Sequence, residues 1–216
     1  MLILKQGYCT AGSEKSPANF AIIPTQERND MTEKIYHRDS YQKVFQAQVA
    51  EVSSSDHSVS LENTAFYPGG GGQPCDIGSI SFDNQRAIVK KVRNKQGKIF
   101  HDLDESSPLP ELGAAISGEI NWDRRYALMR THTAMHILCG VIFRDYGASV
   151  TGGNMEPYKG RMDFEFVGLK KDLIAKIELS LNKEVKASRK VSWRTLPRDE
   201  AFKIPDLIRT KINLLP

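Results

Sequence analysis

Apolar and polar residues alternate with a period of two over much of the stretch between residues 44 and 120. Val44-Phe45-Gln46-Ala47-Gln48-Val49-Ala50-Glu51-Val52 carries the strand period. Ser53 to His57 is polar turn chemistry, and Ser58-Val59-Ser60-Leu61-Glu62 alternates again. Ser79-Ile80-Ser81-Phe82, Ala87-Ile88-Val89 and Lys98-Ile99-Phe100 follow. Pro108 and Pro110 mark a loop before Ala115-Ile116-Ser117-Gly118-Glu119-Ile120, which reads as the last strand of the set. Short strands at close spacing, with turn signals between them, predict a small antiparallel β-barrel.

The period changes at Asn121. Asn121 or Asp123 can cap a helix, and Ala127, Ala134, Leu138, Val141 and Ile142 roughly follow one helical face. Gly147 is a natural stop. Arg161 to Phe166 alternates like a strand. A second helix is expected from Lys170 to Ala187, with Leu173, Ile174, Ile177, Leu181 and Val185 on one side. Val191 to Thr195 reads as a strand, and Pro197 opens a short helix over Arg198 to Phe202. Residues 1–30 show no clear period. They read either as an N-terminal extension, with Met31 a usual start, or as an ordinary leading strand-and-turn segment. The expected fold class is α+β. A barrel domain over residues 31–120 precedes an α+β layer domain with helices on a sheet over residues 121–216.

Composition narrows the function classes. The chain has 216 residues, 40% apolar and 26% charged, ordinary for a soluble globular protein. Its apolar runs are too short to cross a bilayer, and Lys5 and Gln6 interrupt Met1-Leu2-Ile3-Leu4 before a signal core forms. No membrane partner is expected. Three cysteines, Cys9, Cys75 and Cys139, suit a reducing cytoplasm better than a disulfide framework. A net charge of +4 permits a nucleic-acid partner. Two basic groups stand out: Arg86, Lys90, Lys91, Arg93, Lys95 and Lys98, then Lys183, Lys186, Arg189, Lys190, Arg194 and Arg198 around Trp193. Each is either a phosphate-binding patch or a solvated face.

Two motifs carry candidate chemistry. His132 and His136 lie four apart in the first predicted helix, so both imidazoles fall on one face and can reach one metal ion; a solvated or packed pair is the competing reading of the spacing alone. The other motif is Thr64-Ala65-Phe66-Tyr67-Pro68-Gly69-Gly70-Gly71-Gly72-Gln73-Pro74. Four consecutive glycines lose much backbone entropy on ordering, so they are kept where φ must be positive or a ligand must approach closely. A floppy hairpin loop is the competing reading, which the anchoring Phe66, Tyr67 and Pro68 argue against. No Gly-Lys-Ser/Thr follows, so this is not a Walker loop. Nor is it a dinucleotide fingerprint.

Thr64-x-Phe66-Tyr67-Pro68-x-Gly70-Gly71-Gly72-Gln73-Pro74, followed by His132-Thr-Ala-Met-His136, resembles the editing domain of alanyl-tRNA synthetase and its free-standing AlaX versions. Gly153-Asn154-Met155-Glu156 and Lys159 to Phe164 resemble that family in order and spacing. The resemblance covers about Met31 to Pro216. It implies a zinc-dependent deacylase that clears tRNA-Ala wrongly charged with serine, and sometimes glycine. A synthetic pocket for alanine cannot strongly exclude either by size, so a second, hydrolytic site is needed. The resemblance places Thr64 and Gln73 as catalytic candidates, Thr64 near the amino-acid side chain; from the residues alone, Thr64 also reads as a β-branched strand end and Gln73 as a turn residue bonding the backbone. It places Gly70, Gly71, Gly72, Arg161 and Asp163 against the substrate, and His132 and His136 on zinc. The partner implied is the acceptor end of tRNA-Ala, in the cytoplasm. The oligomeric state stays open.

The family completes its zinc site with a downstream Cys-x-x-x-His. No histidine follows His136 here and no cysteine follows Cys139. The expectation is a truncated frame, a fragment, or a chain that lost its metal, with weak or absent zinc binding. Cys139, at i+7 from His132, is either a substitute ligand or a structural thiol. Two alternatives to an editing hydrolase remain. One is a non-catalytic tRNA-binding module of the same fold. The other is a peptide-release-type factor, which shares Gly71-Gly72-Gln73 but leaves the histidine pair unexplained.

Overall fold

The computed structural model describes residues 2–3, 31–166, 171–190 and 195–204. They fall into two compact units, one holding residues 31–127 and the other residues 2–3 and those from Leu128 onward.

The first unit is the barrel. β2 (Glu33–Lys34) pairs in parallel with β5 (Asn63–Thr64), and a single 3-10 turn, Ile35–His37, follows β2. The barrel strands are β3 (Val44–Ser53), β4 (Ser58–Leu61), β6 (Gly78–Phe82), β7 (Gln85–Lys95), β8 (Lys98–Leu103) and β9 (Ala115–Ile120). They close in the order β3-β4-β8-β7-β6-β9, every pairing antiparallel. Closure leaves no edge strand, which explains how short strands of modest hydrophobicity can stand as a sheet. Val59, Leu61, Phe66, Ile80, Val89, Val92, Ile99 and Ile116 fill the interior.

The register shift between Val89 and Lys91 explains one departure from the sequence pattern. An extra residue lets Val89 and Val92 both face inward although they are three apart. That break, and the charges of Lys90, Lys91 and Arg93, hide most of β7 from a period-two reading. Only its Ala87–Val89 portion is legible.

α1 (Trp122–Tyr146) begins where Asn121 caps it: the Asn121 side-chain oxygen accepts the Arg124 N–H at 3.1 Å. It ends at Gly147, at φ +67°, whose N–H donates to Phe143 O. The division between the units falls inside this helix, between Ala127 and Leu128.

In the second unit, β10 (Val150–Glu156) and β11 (Lys159–Phe164) form an antiparallel hairpin. α2 (Lys171–Lys186) packs through Ile177 and Leu173 on Leu138, Ile142, Ala148, Phe164 and Phe166. Ala134, expected on the buried face of α1, is exposed, whereas Val141 and Ile142 are buried. β1 (Leu2–Ile3) pairs with β12 (Thr195–Leu196), and α3 (Arg198–Ala201) follows Pro197. Most of the strand expected over Val191 to Thr195 lies outside the described residues, as do Trp193 and Arg194. No described helix is long and apolar enough to cross a membrane.

Candidate active site

The glycine run is an ordered hairpin. Gly70 and Gln73 exchange backbone hydrogen bonds of 3.0 and 3.1 Å. Gly71 and Gly72 between them have φ of +59° and +81°. Positive φ at both central positions is the type I′ pattern, which glycine adopts without steric cost. Gly70, Gly71 and Gly72 are exposed, and a Cβ on Gly71 would meet nothing within 4 Å. The tip therefore offers bare backbone to anything that approaches.

The base of this hairpin is braced from below. Tyr67 N–H donates to the Asp76 carboxylate at 2.6 Å, and Asp76 N–H donates back to Tyr67 O at 2.9 Å. The Tyr67 hydroxyl donates to Gly70 O at 3.2 Å, and its ring meets Tyr36 edge to face. Burial and the Asp76 charge raise the Tyr67 pKa, so the hydroxyl stays a donor. Asp76 is itself held by Arg125, in the first turn of α1. The Arg125 Nε lies 2.9 and 3.0 Å from the two carboxylate oxygens, and its terminal nitrogen bonds one of them as well. Arg125 also donates to Ala65 O at 2.7 Å and to Ser40 O at 2.9 Å. Both charged side chains are almost wholly buried, at 3% and 1% exposure.

Thr64 lies inside the barrel with no exposed surface. Its Oγ1 accepts the Phe66 N–H at 3.1 Å and lies 2.9 Å from His101 Nε2. The other ring nitrogen, Nδ1, sits 3.2 Å from Val59 O, which can only accept. Nδ1 therefore carries the proton and Nε2 accepts from the Thr64 hydroxyl. Burial lowers the His101 pKa to about 4, which keeps the ring neutral. The Thr64 hydroxyl is thus engaged within the barrel, in the setting expected of a β-branched residue at a strand end. Gln73 is half-buried beside the glycine tip.

In the second unit, His132 and His136 stack on one face of α1. Their ring centroids are 4.8 Å apart and their planes 22° from parallel. The surrounding protein lowers the His136 pKa although part of the ring remains exposed, favouring the neutral imidazole that ligates metals. No group of three or more His, Cys, Asp or Glu side chains fit to hold a metal occurs among the described residues. Two imidazoles are one ligand short of an ordinary catalytic zinc centre. Cys139, half-buried, does not complete one.

The residues just before each histidine anchor the helix to the β10–β11 hairpin. Thr131 Oγ1 accepts the Tyr158 N–H at 2.9 Å, and Met135 packs against Gly160 and Gly153. On β11, Arg161 Nε donates to Asp163 Oδ1 at 3.0 Å, an exposed pair two residues apart on one strand face. Within the second unit the histidine pair and the Arg161–Asp163 pair lie on α1 and on the hairpin packed against it, while Gly70 to Gln73 belong to the first unit. Asp76, Arg125 and His101 were not singled out by the sequence reading. A charged residue inside an otherwise apolar helical face, as Arg125 is beside Ala127 and Leu128, was the available signal.

The barrel's basic group is largely neutralised. Arg86 pairs with Glu119, Lys90 with Asp104, Arg93 with Asp102 and Asp56, and Lys98 with Glu51. On α2 and just beyond, Lys183, Lys186 and Lys190 are exposed and make no ion pair among the described residues, whereas Arg189 pairs with Glu184.

Residues 14–124 match the family model described as tRNA synthetases class II (A). The match begins within residues 1–30. The chain is 36% identical to the alanyl-tRNA editing protein AlaX-M of Saccharolobus solfataricus over 181 residues, 83% of this chain and 75% of that protein. It is 37% identical to AlaX-M of Methanosarcina barkeri, over 79% of this chain and 72% of that protein. Alanine–tRNA ligase of Ignicoccus hospitalis is 39% identical over 79% of this chain, but the match spans only 19% of the ligase.

Proposed function

The chain belongs to the alanyl-tRNA editing proteins of the AlaX-M type, and from that premise we propose that it hydrolyses seryl-tRNA-Ala, with glycyl-tRNA-Ala as a second substrate. It is an aminoacyl-tRNA deacylase acting in trans on mischarged tRNA-Ala. The bond broken is the ester between the amino acid and the terminal ribose. Water adds to the carbonyl carbon, the ribose oxygen leaves with a proton, and free amino acid and tRNA result. The partner is the acceptor end of tRNA-Ala, and the setting is the cytoplasm, where translation charges and clears tRNA.

The observation that carries this reading is the stacked His132–His136 pair, which supplies two imidazoles one helical turn apart. Zinc is the cofactor that the family likeness calls for, with these imidazoles as two of its ligands. The donor set among the described residues is incomplete. The exposed backbone of Gly71 and Gly72, flanked by Gly70, fits close approach to ribose or phosphate oxygens, and Gln73 adds a neutral amide at the same tip. Arg161 and Asp163 offer charged groups on the face of β11. Thr64 serves through His101 and Phe66 by fixing the strand end from which the hairpin springs.

The test is incubation with seryl-tRNA-Ala in the presence of zinc. Serine release that His132→Ala abolishes supports the hydrolase. Binding of the tRNA without release overturns it in favour of a binding module.

A further inference from the structure

We propose that Asp76 and Arg125 are positioning residues for the deacylation: they hold the glycine hairpin in the one conformation that engages the aminoacyl-tRNA. The proposal rests on the reading of the hairpin tip as a substrate contact.

Four consecutive glycines form the most flexible sequence a chain can contain, yet the tip from Gly70 to Gln73 has a single tight geometry. Something outside the glycines must supply the order. The hairpin's own bonds include two backbone contacts and the Tyr67 hydroxyl on Gly70 O. Below them, the ten-residue segment from Tyr67 to Asp76 is closed at its neck by the reciprocal Tyr67–Asp76 bonds. Asp76 cannot stay buried as a carboxylate without a partner, and Arg125 is that partner.

Arg125 does more than neutralise the charge. It donates on one side to Ala65 O and on another to Ser40 O. Its planar fork therefore fixes the backbone entering the hairpin while Asp76 fixes the backbone leaving it. Lysine, with a single flexible ammonium, cannot reproduce this spread of donors. A buried ion pair is weak evidence for stability alone, since apolar residues of similar volume often do as well. Its placement at both ends of a solvent-exposed glycine tip gives it a second task, which is to reduce the number of conformations the tip samples. A preorganised contact binds its ligand without first losing that freedom.

Three variants of the full chain separate the claims, each assayed for kcat and KM on seryl-tRNA-Ala below its own melting temperature. Gly71→Asn tests the tip. Asn tolerates the φ of +59°, and its Cβ meets no protein atom, so folding is undisturbed while the tip becomes bulky. Asp76→Asn removes the charge that Arg125 holds. Tyr67→Phe removes only the hydroxyl brace and leaves the ion pair intact. The expected result is a KM raised about fivefold or more by all three, with kcat changed less, because a misplaced or mobile contact weakens substrate engagement. If Gly71→Asn raises KM while Asp76→Asn and Tyr67→Phe leave it unchanged, the tip is a contact but the positioning role is overturned. If Gly71→Asn leaves KM unchanged, the reading of the tip itself fails and the proposal falls with it. Stability lost without a change of KM in Asp76→Asn and Tyr67→Phe likewise overturns the positioning role.

Discussion

Met135 occupies the space that a side chain at Gly160 would need. A Cβ built on Gly160 would sit 2.7 Å from the Met135 sulfur and 3.0 Å from its Cγ. Met135 lies between the two histidines of α1, and Gly160 lies on β11. The contact therefore seats the histidine-bearing helix on the hairpin. Gly160→Ala should destabilise the fold by about 1–3 kcal/mol through overpacking. Met135→Ala in the same chain should relieve that clash. The double variant is expected to lose less than the sum of the singles, by about 1 kcal/mol, in a thermal or urea unfolding cycle. Strict additivity would mean that the two residues do not compete for the same space.

The distribution of paired and unpaired cations yields a prediction about tRNA binding. Arg86, Lys90, Arg93 and Lys98 on the barrel are tied to carboxylates, so they have little net charge to offer a phosphate. Lys183, Lys186 and Lys190 make no ion pair among the described residues. Replacing those three by alanine should weaken tRNA binding and lower the slope of log affinity against log salt by about 0.7–0.9 per lost phosphate contact. Replacing Arg86 and Lys90 by alanine should leave the slope nearly unchanged. Fluorescence titration of labelled tRNA over a range of salt concentrations measures both.

Much of this fold is written in local pattern. β9 matches its expected range, Ala115–Ile120, because strict alternation and a preceding proline loop leave little ambiguity. α1 is legible from the Asn121 cap to the Gly147 stop because both ends use ordinary capping chemistry. β10 is not legible, since Gly152, Gly153 and Asn154 break any apolar period. That strand has glycines where Asp163, Arg161 and Met135 come close, a requirement set by neighbours distant in sequence. The same holds for the site. The histidine pair is a local, helical relationship and can be read directly. The Asp76–Arg125 pair joins residues 49 apart, and nothing in either flanking sequence announces the other.

The metal question has a direct readout. His132 and His136 supply two imidazoles, and no third donor joins them among the described residues. Two protein ligands hold Zn2+ far more loosely than the three or four of ordinary sites. Zinc added to the purified chain should therefore be lost on dialysis, leaving well under one ion per chain by elemental analysis. Residual binding should fall further in His136→Ala and rise with pH through the histidine range, because only neutral imidazole ligates. One tightly retained ion per chain would require another ligand.

His101 makes the barrel's stability depend on pH. In the fold its ring is fully buried and its pKa is lowered to about 4, against an ordinary value of 6.5. Between those values the unfolded chain holds a proton that the folded chain does not. Stability therefore rises with pH across this window. The contribution is fully present above the unfolded pKa and is lost as pH falls from 6.5 toward 4. The full effect is on the order of 3 kcal/mol. Protonation would also convert Nε2 from acceptor to donor, so that the bond with the Thr64 hydroxyl would have to reverse its direction. Urea unfolding at successive pH values should show this loss in the native chain. In His101→Gln the amide keeps hydrogen-bonding capacity but does not titrate, so the slope across the same window should flatten even though overall stability drops. An unchanged slope would assign the acid sensitivity to other groups.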